Sequence, residues 1–286
     1  DAYGGYELDD GDLSEGTIDA LLADAGGTLW AATPDGMARM QEGYWITPEG
    51  CGPGAGQTLS MIRDSQGALW VLTDLGVYRH AAGRWARLAG AAEQAPGSAR
   101  ELLVAGPGLV WHLTEQALAA YDSASWTSVD LGAAQGASLL RLAREESGSL
   151  WLATDRGLYF KSGEAWQAVP DLADQSIDHL LVLADGEIWA ASDTVIAHRT
   201  GTGWQLSVAG DELPQAPISC LYPASDGTLW AGTAGAGLLH HNEKGWSLYN
   251  SLHGLAHDDV LQILEDRDGA LWILTSHGIS RYTPAP

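Results

Sequence analysis

Cysteine, lysine and phenylalanine are nearly absent from this chain of 286 residues, which has two Cys, one Phe, and lysine only at Lys161 and Lys244. Cys51 is expected in a loop and Cys220 in an inner strand. A disulfide needs Cα atoms within about 7 Å, so both are read as free thiols. Positive charge is also scarce: 14 Lys and Arg stand against 37 Asp and Glu, a formal net charge of −23. A field of that sign opposes nucleic acid and anionic lipid, and neither is expected as a partner. No run of 18 apolar residues occurs, so direct membrane insertion is not expected either. The chain begins at Asp1 without methionine and is expected to be a mature or excised segment. Catalytic signatures are missing as well: no Gly-x-Ser-x-Gly elbow, no phosphate-binding glycine loop before a helix, no His-Glu-x-x-His. The chain is read as non-catalytic, with no cofactor.

What the chain does have is tryptophan, thirteen of them, in register. Trp30, Trp70, Trp111, Trp151, Trp189, Trp230 and Trp272 are separated by 40, 41, 40, 38, 41 and 42 residues, the spacing of a repeat protein. Three residues before each stands glycine (Gly27, Gly67, Gly108, Gly148, Gly186, Gly227, Gly269). Directly before each stands an aliphatic residue, and three after each a small hydroxyl: Thr33, Thr73, Thr114, Thr154, Ser192, Thr233 and Thr275.

Each copy reads as four short strands. Asp-Gly or Ser-Gly before Leu-Trp suits a tight hairpin turn, and Leu-Trp-x-x-Thr has strand composition. Runs such as Val260–Leu264 precede the turn, and a second turn ending in Gly36, Gly76, Gly157 or Gly278 leads into a third strand. A second aromatic (Trp45, Trp85, Trp126, Trp166, Trp204, Trp246) marks the fourth. Four antiparallel strands in each of seven units predict an all-β, seven-bladed β-propeller, one domain over residues 1–286. The chain ends before the seventh unit's fourth strand, and Gly5-Tyr6-Glu7-Leu8 matches Gly245-Trp246-Ser247-Leu248. Residues 3–9 are therefore predicted to pair with the blade formed by 259–283.

The pattern Asp-x-x-Gly-x-Leu-Trp-x-x-Thr-x-x-Gly-(Leu/Val/Ile)-x-Arg, complete at Asp64 to Arg79 and Asp266 to Arg281, resembles the two-component regulator propeller repeat. The link His253-Gly-Leu-Ala-His-Asp-Asp-Val260 is similar to that family's connector between blades. The resemblance implies an extracytoplasmic module of bacterial signalling, periplasmic or secreted, that binds a ligand or mediates dimerisation. The partner it implies is a small molecule, an oligosaccharide or another protein. A structural or protein-interaction propeller is the alternative, and a metal-dependent lyase or lactonase a further one.

Two sets of residues are candidates for binding. Ten residues before each Trp lies a variable, mostly polar position: Ala20, Ser60, Glu101, Arg141, His179, Cys220 and Gln262. Strand alternation points this position at a central channel, where Glu101, Arg141, His179 and Gln262 either hold a small polar ligand or are simply solvated. On the loop face, where links between blades and second-to-third-strand turns emerge together, His253, His257 and His277 lie near Asp258 and Asp259. Imidazoles with carboxylates suit zinc, but His257-Asp-Asp also fits turn chemistry, and no metal is assigned. The acidic turns such as Asp64-Ser-Gln-Gly are read as hairpin closures rather than calcium loops, since the carboxylates shift between copies.

Overall fold

The computed structural model describes residues 20–23, 28–33, 36–41, 44–46, 57–64, 66–88, 95, 97–106, 109–161, 163, 165–183, 185–201, 203–265 and 269–283. They are divided between two compact units, residues 1–142 and 143–286. The strands form seven antiparallel sheets over residues 20–46, 58–88, 99–128, 139–168, 179–208, 218–249 and 260–282. Within each sheet the strands follow chain order, one hairpin after another. Among the described residues the only helical turns are three short 3-10 segments in links, Gly132–Ala134, Pro170–Leu172 and Ser251–His253. This is the all-β, seven-sheet architecture expected of a β-propeller.

The second sheet (Thr58–Arg63, Leu69–Thr73, Gly76–Ala81, Arg84–Leu88) shows why the repeat residues recur. Asp64 is buried at the first turn. Its Oδ1 accepts the N–H groups of Gln66 (3.0 Å) and Ala68 (2.9 Å), and its Oδ2 accepts the indole N–H of Trp70 at 2.9 Å. Arg79, opposite Trp70 in the ladder, lies 5.3 Å from the ring centroid and 3.9 Å from the Asp64 carboxylate. One carboxylate thus closes the hairpin and satisfies the buried indole. The glycine three before Trp has φ of 84° at Gly67, 94° at Gly148 and 83° at Gly227, a region that side chains disfavour.

The hydroxyl three after Trp closes the second turn. Thr73 Oγ1 donates to the Gly76 carbonyl (3.2 Å) and accepts the Leu75 N–H (3.1 Å). Thr33, Thr114, Thr154, Thr233 and Thr275 donate in the same way to residues 36, 117, 157, 237 and 278. Ala117 and Val195, which replace the turn glycine, close turns of the same length: the Thr114 N–H donates to the Ala117 carbonyl and the Ser192 N–H to the Val195 carbonyl, both at 2.9 Å. The regular pairing of these second and third strands stops one step short of the turn, at Leu113 with Leu118 and Ala191 with Ile196, whereas Thr73 pairs directly with Gly76.

Packing runs from sheet to sheet by one rule. In the first unit Trp70, Leu72 and Val77 meet Leu102, Val110, Ala119 and Trp126 of the third sheet. In the second unit Trp151 and Ala153 meet Ile188 and Ala190, Trp189 and Ala191 meet Leu229 and Ala231, and Trp230 meets Ile263, Leu271 and Ile273. In each of these pairs the Trp face covers the residues flanking the next Trp. Burying one such ring contributes on the order of 4–6 kcal/mol before entropic costs.

Asp64→Ala leaves the Trp70 indole and two amides without acceptors, and is expected to destabilise the chain by about 2–3 kcal/mol, read as a lower urea midpoint. The seventh sheet has three strands among the described residues (Val260–Glu265, Leu271–Thr275, Gly278–Tyr282). The proposed pairing of residues 3–9 with it lies outside the described residues. If that pairing forms, deleting residues 1–9 exposes a sheet edge; sedimentation should then show self-association, and a monomeric, equally stable truncation would contradict it.

Candidate functional site

The inner-strand candidates are largely engaged with neighbouring backbone. Glu101 Oε1 accepts the N–H of Leu142 from the next inner strand. Burial pushes the Glu101 carboxyl above its usual range, against that hydrogen bond and the charges of Arg141 and Arg100. Arg141 is exposed and donates to the carbonyl of Leu140 (2.8 Å). In the second unit His179 Nε2 lies 3.1 Å from the Ile218 carbonyl, and Gln262 is exposed. Ser219, beside Cys220, donates to the Val260 carbonyl at 2.6 Å. Glu101, His179 and Ser219 therefore tie successive inner strands together. Cys220 is a free thiol, raised in pKa by burial, and Cys51 lies outside the described residues.

The loop-face histidines divide into two groups. His253 belongs to a capping box: the Asn250 side chain accepts the Leu252 N–H (3.1 Å), and His253 Nδ1 accepts the Asn250 N–H (3.3 Å). Asp258 accepts from the N–H (2.6 Å) and hydroxyl (3.2 Å) of Ser251, so its carboxylate shapes the link. His257 and His277 do come together, with ring centroids 4.3 Å apart. Ser276 Oγ lies 2.9 Å from Nδ1 of His257 and 3.0 Å from Nδ1 of His277, while His257 Nδ1 also accepts the Asp259 N–H (3.1 Å). The Ser276 hydroxyl can donate to one of these ring nitrogens and accept from the other. Among the described residues no group of three or more His, Cys, Asp or Glu side chains is placed to hold a metal ion.

A cleft on the same face was not among the sequence candidates. It has a volume of about 320 Å³ and is lined by Asp193 and Thr194, from the fifth sheet's second turn, and by Ala209, Gln215, Ala216 and Pro217, from the link to the sixth sheet. The link folds back on itself through a bridge between Ala209 and Leu213 and is pinned by Ala209 N–H to Thr194 O (2.8 Å) and Ala234 N–H to Pro217 O (2.9 Å). Two irregularities could have located it: Val195 in place of a turn glycine, and a link carrying Pro214 and Pro217.

Beneath these loops the fifth and sixth sheets meet in a layer of indoles and imidazoles. His198 stacks on Trp189 (3.9 Å between centroids, 1° between planes), and Glu187 reaches both His198 Nε2 (3.4 Å) and the Trp189 N–H (3.3 Å). His240 stacks on Trp230 at 4.0 Å. His241 lies 5.1 Å from Trp189 and 4.8 Å from Trp246, whose N–H donates to Ser207, itself a donor to Glu212. Burial holds both His240 and His241 below the ordinary imidazole range; Asp226 opposes this at His240, and at His241 the neighbouring His198 and His240 deepen it against Glu187 and Glu212.

Comparison with known proteins places this geometry. A family model described as "Two component regulator propeller" matches residues 212–235 and 254–277. Repeats of that type are therefore present in the chain. No curated protein matches the sequence. Among solved structures, the chain is similar to the extracellular domain of BT4673 from B. thetaiotaomicron, described as a one component system (18% identity, TM-score 0.68, 94% of this chain and 39% of that one). The chain thus spans about two fifths of that relative's length. It is also similar to YCF48 bound to D1 peptide (16% identity, TM-score 0.66, covering 94% and 92%) and to virginiamycin B lyase from Staphylococcus aureus (12%, 0.64, 92% and 93%). At these identities the likeness is one of fold.

The pH dependence of stability follows from the imidazoles. Because the fold favours neutral His240 and His241, the unfolded chain binds more protons near pH 6, and their contribution is lost as pH falls below about 6.5. Glu101 acts with the opposite sign, since its protonated form is favoured in the fold. The urea midpoint is expected to drop between pH 7.5 and 5.5, and a His240→Gln, His241→Gln double variant to show a smaller drop. An equal drop in that variant would remove these residues as the cause.

Proposed function

We propose that this chain is a non-catalytic sensor or recognition propeller of the bacterial signalling type, acting outside the cytoplasm and taking its ligand on the loop face. The observation that carries the reading is the cleft between residues 193–194 and 209–217, which sits among the links and second turns where the repeat pattern is least constrained. The two component regulator propeller match and the likeness to an extracellular sensor domain support the class. Glu101 and His179 of the inner ring are occupied in reaching the backbone of the next inner strand.

A protein-binding propeller is the second reading, favoured by the YCF48 relative, whose structure contains a bound D1 peptide. The two readings separate in one experiment. The thermal midpoint of the purified chain, measured across small metabolites, oligosaccharides and divalent metals with a chelator control, is expected to rise with one class of small molecule. A ligand at a hundredfold excess over its dissociation constant adds about 2.7 kcal/mol of stability. Ala216→Trp, which fills the cleft, should abolish the rise. A flat panel with a co-purifying protein would favour the second reading, and turnover lost to a chelator would overturn both.

A further inference from the structure

Resting on the loop-face reading, we propose that the cleft takes an organic ammonium, a primary amine carried on a short aliphatic body. The charge in the cleft is the starting point. Asp193 is the one ionisable side chain among its lining residues, and no hydrogen bond or ion pair is recorded for its carboxylate among the described residues.

The fold does not need this carboxylate. In the fifth repeat the turn is closed by Ser192, whose hydroxyl accepts the N–H groups of Thr194 (3.3 Å) and Val195 (3.1 Å). The residue after the turn hydroxyl is acidic in four repeats, as Asp74, Glu115, Asp155 and Asp193. Glu115 is met by Arg100 at 4.0 Å, and Asp155 has a partner of its own. Asp74 and Asp193 are both exposed, and of the two it is Asp193 that borders the cleft.

The other lining groups agree with an amine. An ammonium presents three donors and no acceptor, and the Asp193 carboxylate offers two acceptor oxygens at the cleft. Ala209, Ala216 and Pro217 offer methyl and ring carbons to an aliphatic body, and about 320 Å³ lies at the small end of ligand clefts, roughly 300–1,000 Å³. No basic residue lines the cleft, and Asp211 and Glu212 stand in the same link. An anionic ligand would face uncompensated carboxylates. No aromatic ring is present among the lining residues to stack on a sugar. The net charge of −23 draws cations toward the chain in general, and Asp193 sets a carboxylate at this cleft.

The test uses n-butylamine, ammonium at neutral pH, and 1-butanol as its neutral counterpart, titrated into the 15N-labelled chain at low salt. Butylammonium should shift the amide signals of Thr194, Ala209 and Ala216 saturably, and 1-butanol should bind at least about tenfold more weakly, the share of one charge-assisted hydrogen bond. Asp193→Asn should bring the two affinities together while leaving the rest of the spectrum in place. Equal affinities in the wild-type chain, or an amine preference that survives Asp193→Asn, would overturn the proposal. If a neutral sugar or metabolite shifts these amides and butylammonium does not, the ammonium class falls while the loop-face reading stands. If a ligand from the thermal panel moves none of them and still binds Ala216→Trp, the loop-face reading falls as well.

Discussion

A tryptophan packed between sheets, its N–H answered in the second, fourth and fifth repeats by a nearby carboxylate, is the interaction on which the rest of this structure depends. The second repeat shows it whole in Asp64, Trp70 and Arg79. In the fourth, Glu145 accepts the Trp151 N–H at 2.7 Å, and Arg199 supplies the cation at 2.7 Å from that carboxylate and 5.0 Å from the ring. Burial works against the charge on Glu145, but Trp151, Ser147 and Arg199 outweigh it and hold its pKa below the usual range. Leaving an indole N–H unsatisfied between packed sheets would cost about 1–3 kcal/mol. The acidic turn and the tryptophan therefore belong to one device, which explains why an apparent calcium loop carries its carboxylates at different positions in different copies.

The same device makes the chain's chemistry hard to read from its polar residues. Most of the acids, hydroxyls and cations that recur are engaged in closing hairpins or covering rings, so recurrence marks structure. Histidine stands over the indole in the fifth and sixth repeats, at His198 and His240, where the second repeat has Arg79. Function has room where the repeat relaxes, and the fifth repeat departs from the pattern twice, in the Val195 of its second turn and in its proline-containing link.

How much was legible follows from the range of each constraint. The hairpin glycines, the turn hydroxyls and the Trp period act over a few residues, so strands such as Gly278–Tyr282 could be bounded from the sequence alone. The inner-ring candidates were placed on the right strands, but alternation says only which way a side chain points. It does not reveal that Glu101 reaches the backbone of residue 142 or that His179 meets that of residue 218. The pairing of His257 with His277 joins residues twenty apart through a hairpin. The capping box of His253 was hidden for a simpler reason: nothing in an all-β pattern announces a 3-10 turn.

The sequence by itself determined the number of repeats, the order of strands and the chemistry of each turn, because backbone sterics and burial of a periodic tryptophan act locally and identically in every copy. Only the tertiary structure decided which polar side chains are consumed in joining neighbouring strands and where a cavity opens. Asp193 and Gln215 share a cleft because a tight turn and a folded link happen to border the same space. That geometry depends on how the departures from the repeat pack against one another, and no period in the sequence carries it.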